Sequence, residues 1–311
     1  MVESRYFTFM GAAIRAMKKL LVIADMPGWA FDRIYKGLKN NCVDWSVDVF
    51  YLNTSQSDPG LLNYDLILYL CDNFPDPIVH WVRQGLPKER VVMAIRSEVT
   101  HPLYNNKNIL LQLCEGLIAS NEMLYERFKC MHNNVFLAEG GVDTDFYSYK
   151  KKRKTDDINV GWAGSTGVFD REFRGLDIIQ EACDLAQVKF NPALKEVRMR
   201  SPEEMVEYYH NDIDIYVEMS KGAGRQNGLV EAGSCGIPII SYKCGIAKQL
   251  IKQGVNGFII EERDSKLLAE LITKTLNDYD NLAFNIRESI VEGWSWKLHA
   301  KKFEKAFNSL A

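Results

Sequence analysis

Residues Ile213–Ile240 read IDIYVEMSKGAGRQNGLVEAGSCGIPII, and this stretch decides how the rest of the chain is read. Ile213, Ile215 and Val217 form an apolar strand that ends in a Ser-Lys-Gly-Ala-Gly loop. A helix opens near Gln226-Asn227-Gly228, carries Glu231 on its second turn and stops at Cys235-Gly236. Pro238 then starts a second apolar strand, Ile239-Ile240. Strand, glycine loop and helix N-terminus together aim free backbone N–H groups and the positive helix end at one spot, which suits an anion. In an open α/β sheet that spot lies beyond the carboxyl ends of the strands. Glu231 would repel a phosphate there, but it can accept hydrogen bonds from two vicinal hydroxyls, such as those of a ribose.

Outward from that stretch, short apolar runs alternate with helical patterns. Lys18–Ala24, Val47–Leu52, Tyr64–Leu70, Val91–Ile95 and Leu117–Ser120 read as strands, with Val135–Ala138 leading to Gly140-Gly141-Val142-Asp143-Thr144-Asp145-Phe146. Helices are expected at Ala30–Lys39 and Asn121–Phe128. A second series begins with strand Ile158–Trp162 and loop Ala163–Gly167, then helix Leu176–Ala186 and, after Pro202, helix Glu203–Tyr209. Ser265–Leu276 and the last segment, Trp294–Leu310, are amphipathic. Alternation of this kind predicts parallel, doubly wound sheets, and 311 residues suit two domains of about 150 each.

The bulk composition narrows the class. A formal charge of −3 argues against a nucleic-acid binder. Seven cysteines with no C-x-x-C pair point to reduced thiols in a cytosolic protein. No apolar run reaches the ~18 residues of a membrane helix, and Phe7–Ile14 with its basic flank lacks a signal cleavage site. The basic run Lys150–Lys154 reads as an interdomain linker, with peripheral membrane contact left open. Asp143/Asp145 and Asp212/Asp214 mimic a metal-binding D-x-D, but both read as structural, and no metal is expected. Gly161–Gly167 has the wrong glycine spacing for a dinucleotide site, and Gly222–Gly228 is no P-loop.

The opening stretch resembles the donor-binding segment of the GT-B glycosyltransferases, especially the large retaining family 4. Asp214, Val217, Ser220, Gly224, Glu231, Ala232, Gly236, Pro238 and Ser241 fall on matching positions without a gap, and Gly245, Gly254–Ile260 and Asp264 continue the pattern. GGVDTDFY at Gly140–Tyr147 resembles the family's hinge motif. The resemblance implies two Rossmann-like domains facing a cleft: residues 17–150 on the acceptor side, residues 155–293 binding the nucleotide sugar, and residues 294–311 as a helix crossing back. It further implies transfer of a sugar from a nucleotide diphosphate sugar to a glycan, lipid-linked or small-molecule hydroxyl, with retention and without a metal or other cofactor.

Within that resemblance each site residue has an expected role. Arg174-Gly175 stands where the family has Lys-Gly and would neutralise the departing diphosphate, with Arg171 as a second cation. Gly164 and Ser165 would let the phosphates approach the backbone. Asn227, Gly228 and Leu229 would present N–H groups, and Glu231 would hold the ribose. Asp25, Gly28 and His101 would line the acceptor mouth, His101 orienting the acceptor hydroxyl or the donor sugar. The family's first glutamate falls on Ala223, and Glu218 is the candidate to replace it. That substitution sustains a rival reading, a protein that binds a nucleotide sugar without transferring it. A sugar-nucleotide epimerase or phosphorylase on the same fold is a further rival, although nothing singles out a pyridoxal-binding lysine.

Overall fold

A computed structural model describes residues 17–55, 58–71, 75–96, 111–150, 157–167 and 170–311. The first sheet contains β1 (Lys18–Ala24), β2 (Trp45–Tyr51), β3 (Leu66–Tyr69), β4 (Val91–Ile95), β5 (Gly116–Ala119) and β6 (Val135–Leu137), in the order β2-β1-β3-β4-β5-β6. The second contains β7 (Asn159–Gly164), β8 (Lys189–Leu194), β9 (Ile215–Glu218), β10 (Ile239–Tyr242) and β11 (Phe258–Ile260), in the order β11-β10-β9-β7-β8. All the pairings are parallel. Strands buried on both faces must be apolar, which is why β3, β4 and β5, and β1 from Leu20 on, read as unbroken apolar runs.

The helices among the described residues are α1 (Ala30–Asn41), α2 (Asp76–Arg83), α3 (Glu122–Phe128), α4 (Arg171–Arg174), α5 (Leu176–Leu185), α6 (Pro202–Glu207), α7 (Asn227–Ser234), α8 (Ala247–Leu250), α9 (Ser265–Asn277), α10 (Tyr279–Gly293) and α11 (Trp296–Leu310). Their starts follow local chemistry. Ser201 and Glu204 form a capping box with Pro202 in the first turn of α6. Asp264 caps α9 by accepting from the Leu267 N–H at 2.8 Å, and Asn121 caps α3 through the Leu124 N–H at 2.8 Å.

Both sheets share one topology, and it places the site. In each, the second strand and the third flank the first, so the winding reverses beside β1 and beside β7. A crevice opens at the carboxyl ends of the strands at such a reversal. Met26–Trp29 after β1, Arg96 after β4, Ser165 after β7, Lys195 after β8 and Gly222–Gly228 after β9 meet there, between the two sheets.

Several elements are not signalled by the sequence patterns above, β8 and α10 among them. β8 (KFNPAL) contains Asn191-Pro192, which reads as a turn; the strand forms because it is an edge, where proline's missing N–H costs no ladder bond. α10 is mostly polar, and only Leu282, Ala283, Ile286 and Ile290 are buried. The opening strand pairs from Ile215 rather than Ile213.

The chain returns to the first domain at its end, as the resemblance implied. Val142 N–H donates to the Trp294 carbonyl at 2.8 Å and Trp296 N–H to the Val142 carbonyl at 3.2 Å, so α11 leaves along the hinge. Trp296, Phe303, Ala306 and Phe307 then join the core built by Leu20, Val22 and Leu38. Beneath this crossing Glu139 is buried and accepts from Lys302 Nζ at 2.7 Å, with His299 Nδ1 at 3.3 Å. Burial pushes the Glu139 carboxyl up, but hydrogen bonds and charge from His299 and Lys302 outweigh it and hold the pKa at about 2, below the ordinary 4.5. A depressed carboxyl stabilises the fold fully above the unfolded value and loses that contribution as pH falls through the folded one. The melting-temperature gap between wild type and Glu139→Gln should therefore be positive at pH 7 and shrink between pH 4.5 and 2. A gap independent of pH would show that the loss is one of packing.

Candidate functional site

Between the domains lies a cleft of about 580 Å³. From the first domain it is lined by the loop after β1, including Gly28 and Trp29, by Arg33 of α1 and by Arg96 after β4. From the second it is lined by Trp162–Ser165, Arg174, Lys195, Tyr209, Tyr216, Glu218 and the run Gly222–Gly228, with Glu231. Seven cations (Arg33, Arg96, Arg174, Lys195, Arg198, Arg200 and Arg225) face two carboxylates, Glu218 and Glu231. In a chain of formal charge −3 that excess is local, and it makes the cleft a site for an anion.

Two of the cations gain from such a ligand. Burial lowers the Lys195 pKa and Arg33 adds to the effect, opposed by Asp25, Glu196 and Glu231. Its ammonium lies 4.7 Å from the Trp29 ring centroid, a contact across the cleft. Burial likewise lowers the pKa of Arg225, and Arg96 adds like charge. Its guanidinium donates to the Gly140 carbonyl at 3.1 Å, to the Gly141 carbonyl at 2.6 Å and to Asn227 Oδ1. Carbonyls solvate the cation without neutralising it, so an incoming anion would relieve both groups.

Glu231 is only 4 % exposed, and both of its oxygens are engaged. Oε1 pairs with Arg33 Nη1 of the other domain, and Oε2 accepts from the Tyr209 hydroxyl at 3.0 Å. Tyr209 stands in a row of rings with Tyr147 and Tyr216, each centroid 6.2 Å from its own. The small residues after Glu231 serve packing. A Cβ on Gly233 would lie 2.8 Å from Ile286 of α10, and the Ser234 hydroxyl donates to the Tyr147 carbonyl at 2.7 Å.

The glycines of the loop have steric reasons. A Cβ on Gly224 would sit 1.4 Å from the Arg96 carbonyl oxygen, so only glycine lets the first domain's backbone meet this loop. A Cβ on Gly228 would lie 2.0 Å from the Tyr216 hydroxyl, beneath the start of α7. At that start the Gln226 side chain does not cap the helix. It donates to the Cys244 carbonyl at 2.9 Å and accepts from the Ile246 N–H at 3.0 Å, leaving the first turn uncapped by any side chain.

The other expected site residues fall as follows. Arg174 lines the cleft, with Nε donating to the Ser165 carbonyl at 3.1 Å. Gly164, Ser165, Asn227, Gly228 and Gly28 line it too, whereas the Leu229 side chain is fully buried in the core. Arg171 is not brought there: its guanidinium binds Asp177 Oδ1 at 2.9 and 3.1 Å on the exposed side of α4. Asp25 is not among the lining residues and accepts from the Met26 N–H at 2.9 Å; burial raises its pKa. Glu218 and Ala223 both reach the lining, but Glu218 already accepts from the Ser220 hydroxyl at 2.5 Å and the Ser220 N–H at 2.9 Å. His101 and Lys151–Lys154 lie outside the described residues. Asp143 caps the hinge turn through the Asp145 and Phe146 N–H groups, and Asp214 accepts from the Asn159 N–H.

Arg33, Lys195 and Arg225 had not been singled out. Lys195 follows β8, so reading that strand would have placed it at a carboxyl end. Nothing local marks Arg33, because its role depends on which helix of the other domain it meets.

The chain has the GT-B fold. HepE from Anabaena in complex with UDP superposes with a TM-score of 0.66, at 17 % identity over 94 % of this chain and 100 % of that one. Sucrose-phosphate synthase from Thermosynechococcus elongatus gives 0.71, at 15 % identity over 94 % and 99 %. Residues 187–292 match the family model of the glycosyl transferases group 1, in agreement with the resemblance read from the sequence. The capsular polysaccharide biosynthesis glycosyltransferase CapM of Staphylococcus aureus is 26 % identical over 104 residues, which is 32 % of this chain and 27 % of CapM. A sucrose synthase from Melioribacter roseus is 30 % identical over 95 residues, 28 % of this chain and 12 % of that protein. The chain thus aligns with about a quarter or less of the length of these two relatives. Among the described residues no helix is long and apolar enough to cross a membrane.

Proposed function

We propose that this protein transfers a glycosyl group from a nucleotide diphosphate sugar to a hydroxyl acceptor. The observation that carries the reading is the cleft itself: seven cations and an uncapped helix N-terminus converge where two domains of a GT-B fold meet. HepE, with which the chain shares its fold, was solved with UDP and with UDP-glucose, which favours a donor of that class.

The residues divide the work by charge. The α7 start and Arg174 take the diphosphate, and Lys195 adds charge at the carboxyl end of β8. Glu231 accepts the ribose hydroxyls. In the transfer step the bond from the anomeric carbon to the diphosphate oxygen breaks and the acceptor oxygen bonds to that carbon. The acceptor's proton passes to the departing diphosphate oxygen. Charge grows on the diphosphate as the bond lengthens, so fixed cations act mainly in the transition state. In this reading the acceptor attacks from the face the diphosphate leaves, configuration is retained, and neither a protein nucleophile nor a metal is required. A glycan or lipid-linked hydroxyl is the acceptor class in view, with the protein working in the cytosol.

The second reading, nucleotide-sugar binding without transfer, rests on Ala223. It lines the cleft where the family's first glutamate would stand, and Glu218 is tied to Ser220.

Calorimetry with UDP, GDP, ADP and their sugar conjugates, without added metal, tests the binding step. Diphosphate release with an acceptor panel in EDTA, with the product's anomeric configuration read by NMR, tests the transfer. Micromolar binding with turnover supports the transferase, and binding without turnover across the panel supports the second reading. No binding to any of them would overturn both.

A further inference from the structure

The carboxylate assigned to the ribose is already occupied by the protein. Glu231 Oε1 holds Arg33 and Oε2 holds the Tyr209 hydroxyl. Arg33 belongs to α1 of the first domain and Glu231 to α7 of the second, so the ion pair spans the cleft. Other hydrogen bonds join the domains, among them Arg225 to the Gly140 and Gly141 carbonyls, Asn121 to the Gly224 carbonyl and Gln249 to Glu139. With Arg225, the Arg33–Glu231 pair also lines a second cavity of about 560 Å³, so it stands as a partition between that cavity and the nucleotide cleft. Arg33 Nε is buried and has no hydrogen-bond partner, so the fork has a donor in reserve.

Neither partner can leave alone. Withdrawing Arg33 strands a buried carboxylate, and withdrawing Glu231 strands a guanidinium. A nucleoside diphosphate supplies both replacements in one molecule, hydroxyls for the carboxylate and phosphates for the guanidinium. A nucleoside supplies only the first. We propose that Arg33 is a latch that exchanges partners on donor binding: the ribose takes Glu231, and Arg33 turns to the diphosphate as a further side-chain cation beside Arg174 and Lys195. This rests on the nucleotide-sugar reading above and deepens it, replacing Arg171 by a residue of the opposite domain. The exchange makes the site answer to the diphosphate rather than to the base and ribose alone.

The test compares UDP with uridine, or the corresponding pair for whichever base the calorimetric panel selects, on wild type, Arg33→Met and Arg33→Lys. Arg33→Met removes the latch and the cation together. Uridine should then bind at least about fivefold more tightly, and the advantage of UDP over uridine should fall by about tenfold or more. Arg33→Lys, which keeps the charge without the fork, should lie between. Hydrogen exchange of α1 without ligand should quicken in Arg33→Met, since the cross-cleft tie is gone. Uridine affinity unchanged or weakened in Arg33→Met, or a constant UDP-to-uridine ratio, would overturn the exchange. Wild type binding neither ligand would instead overturn the nucleotide reading beneath it, whatever α1 does.

Discussion

Arg174→Met should lower turnover by about 10²- to 10³-fold while changing donor affinity only a few-fold, the loss typical when one preorganised donor to a developing oxyanion is removed. The geometry gives the reason. Arg174 Nε is anchored on the Ser165 carbonyl at 3.1 Å, which fixes the plane of the fork at the edge of the cleft. A cation held by the protein costs no reorganisation when charge appears, so its benefit falls mainly on kcat. Arg174→Lys should recover part of the rate, since it keeps charge but not the two-pronged geometry. Steady-state kcat and KM from diphosphate release decide the matter. A rise in KM with kcat unchanged would mean that Arg174 binds the ground state and transition state alike.

Glu231→Ala should weaken nucleotide diphosphate binding by roughly 10- to 100-fold. Hydrogen bonds to a charged acceptor contribute about 1.5–3 kcal/mol each, and two hydroxyls share this carboxylate. Part of that loss is offset, because the variant also frees Arg33 before the ligand arrives. The sharper measurement compares UDP with 2′-deoxy-UDP. Wild type should discriminate against the deoxy ligand, and Glu231→Ala should bind the two within about twofold, since the group reading the hydroxyl is gone. Discrimination that survives in Glu231→Ala would place the ribose elsewhere.

The part of the site lying on one continuous stretch was legible in the sequence. Ser220, Gly224, Gly228 and Glu231 sit between two strands, and strand–loop–helix geometry places such residues at a carboxyl end whatever else the chain does. Arg174 is singled out by the resemblance alone, because Arg174-Gly175 stands where the family has Lys-Gly. Arg171, three residues earlier, is expected as its companion but pairs with Asp177, because the left-handed turn at Gly175 ends α4 and brings the first turn of α5 within its reach. β8 escaped because Asn-Pro signals a turn unless the strand is known to be an edge, and with it went Lys195.

The alternation of apolar runs with helical periods determined two parallel sheets, and the residues at Gly224–Glu231 determined an anion-binding turn with a carboxylate beside it. These are local facts, set by backbone sterics and by the period of side-chain burial. The tertiary structure alone decided that Arg33 meets Glu231, that Arg225 reaches the Gly140 and Gly141 carbonyls, and that Gly224 admits the Arg96 carbonyl. Each joins residues from 84 to 198 positions apart, in two domains. No periodicity carries such a pairing, because it depends on how two separately wound sheets are set against each other.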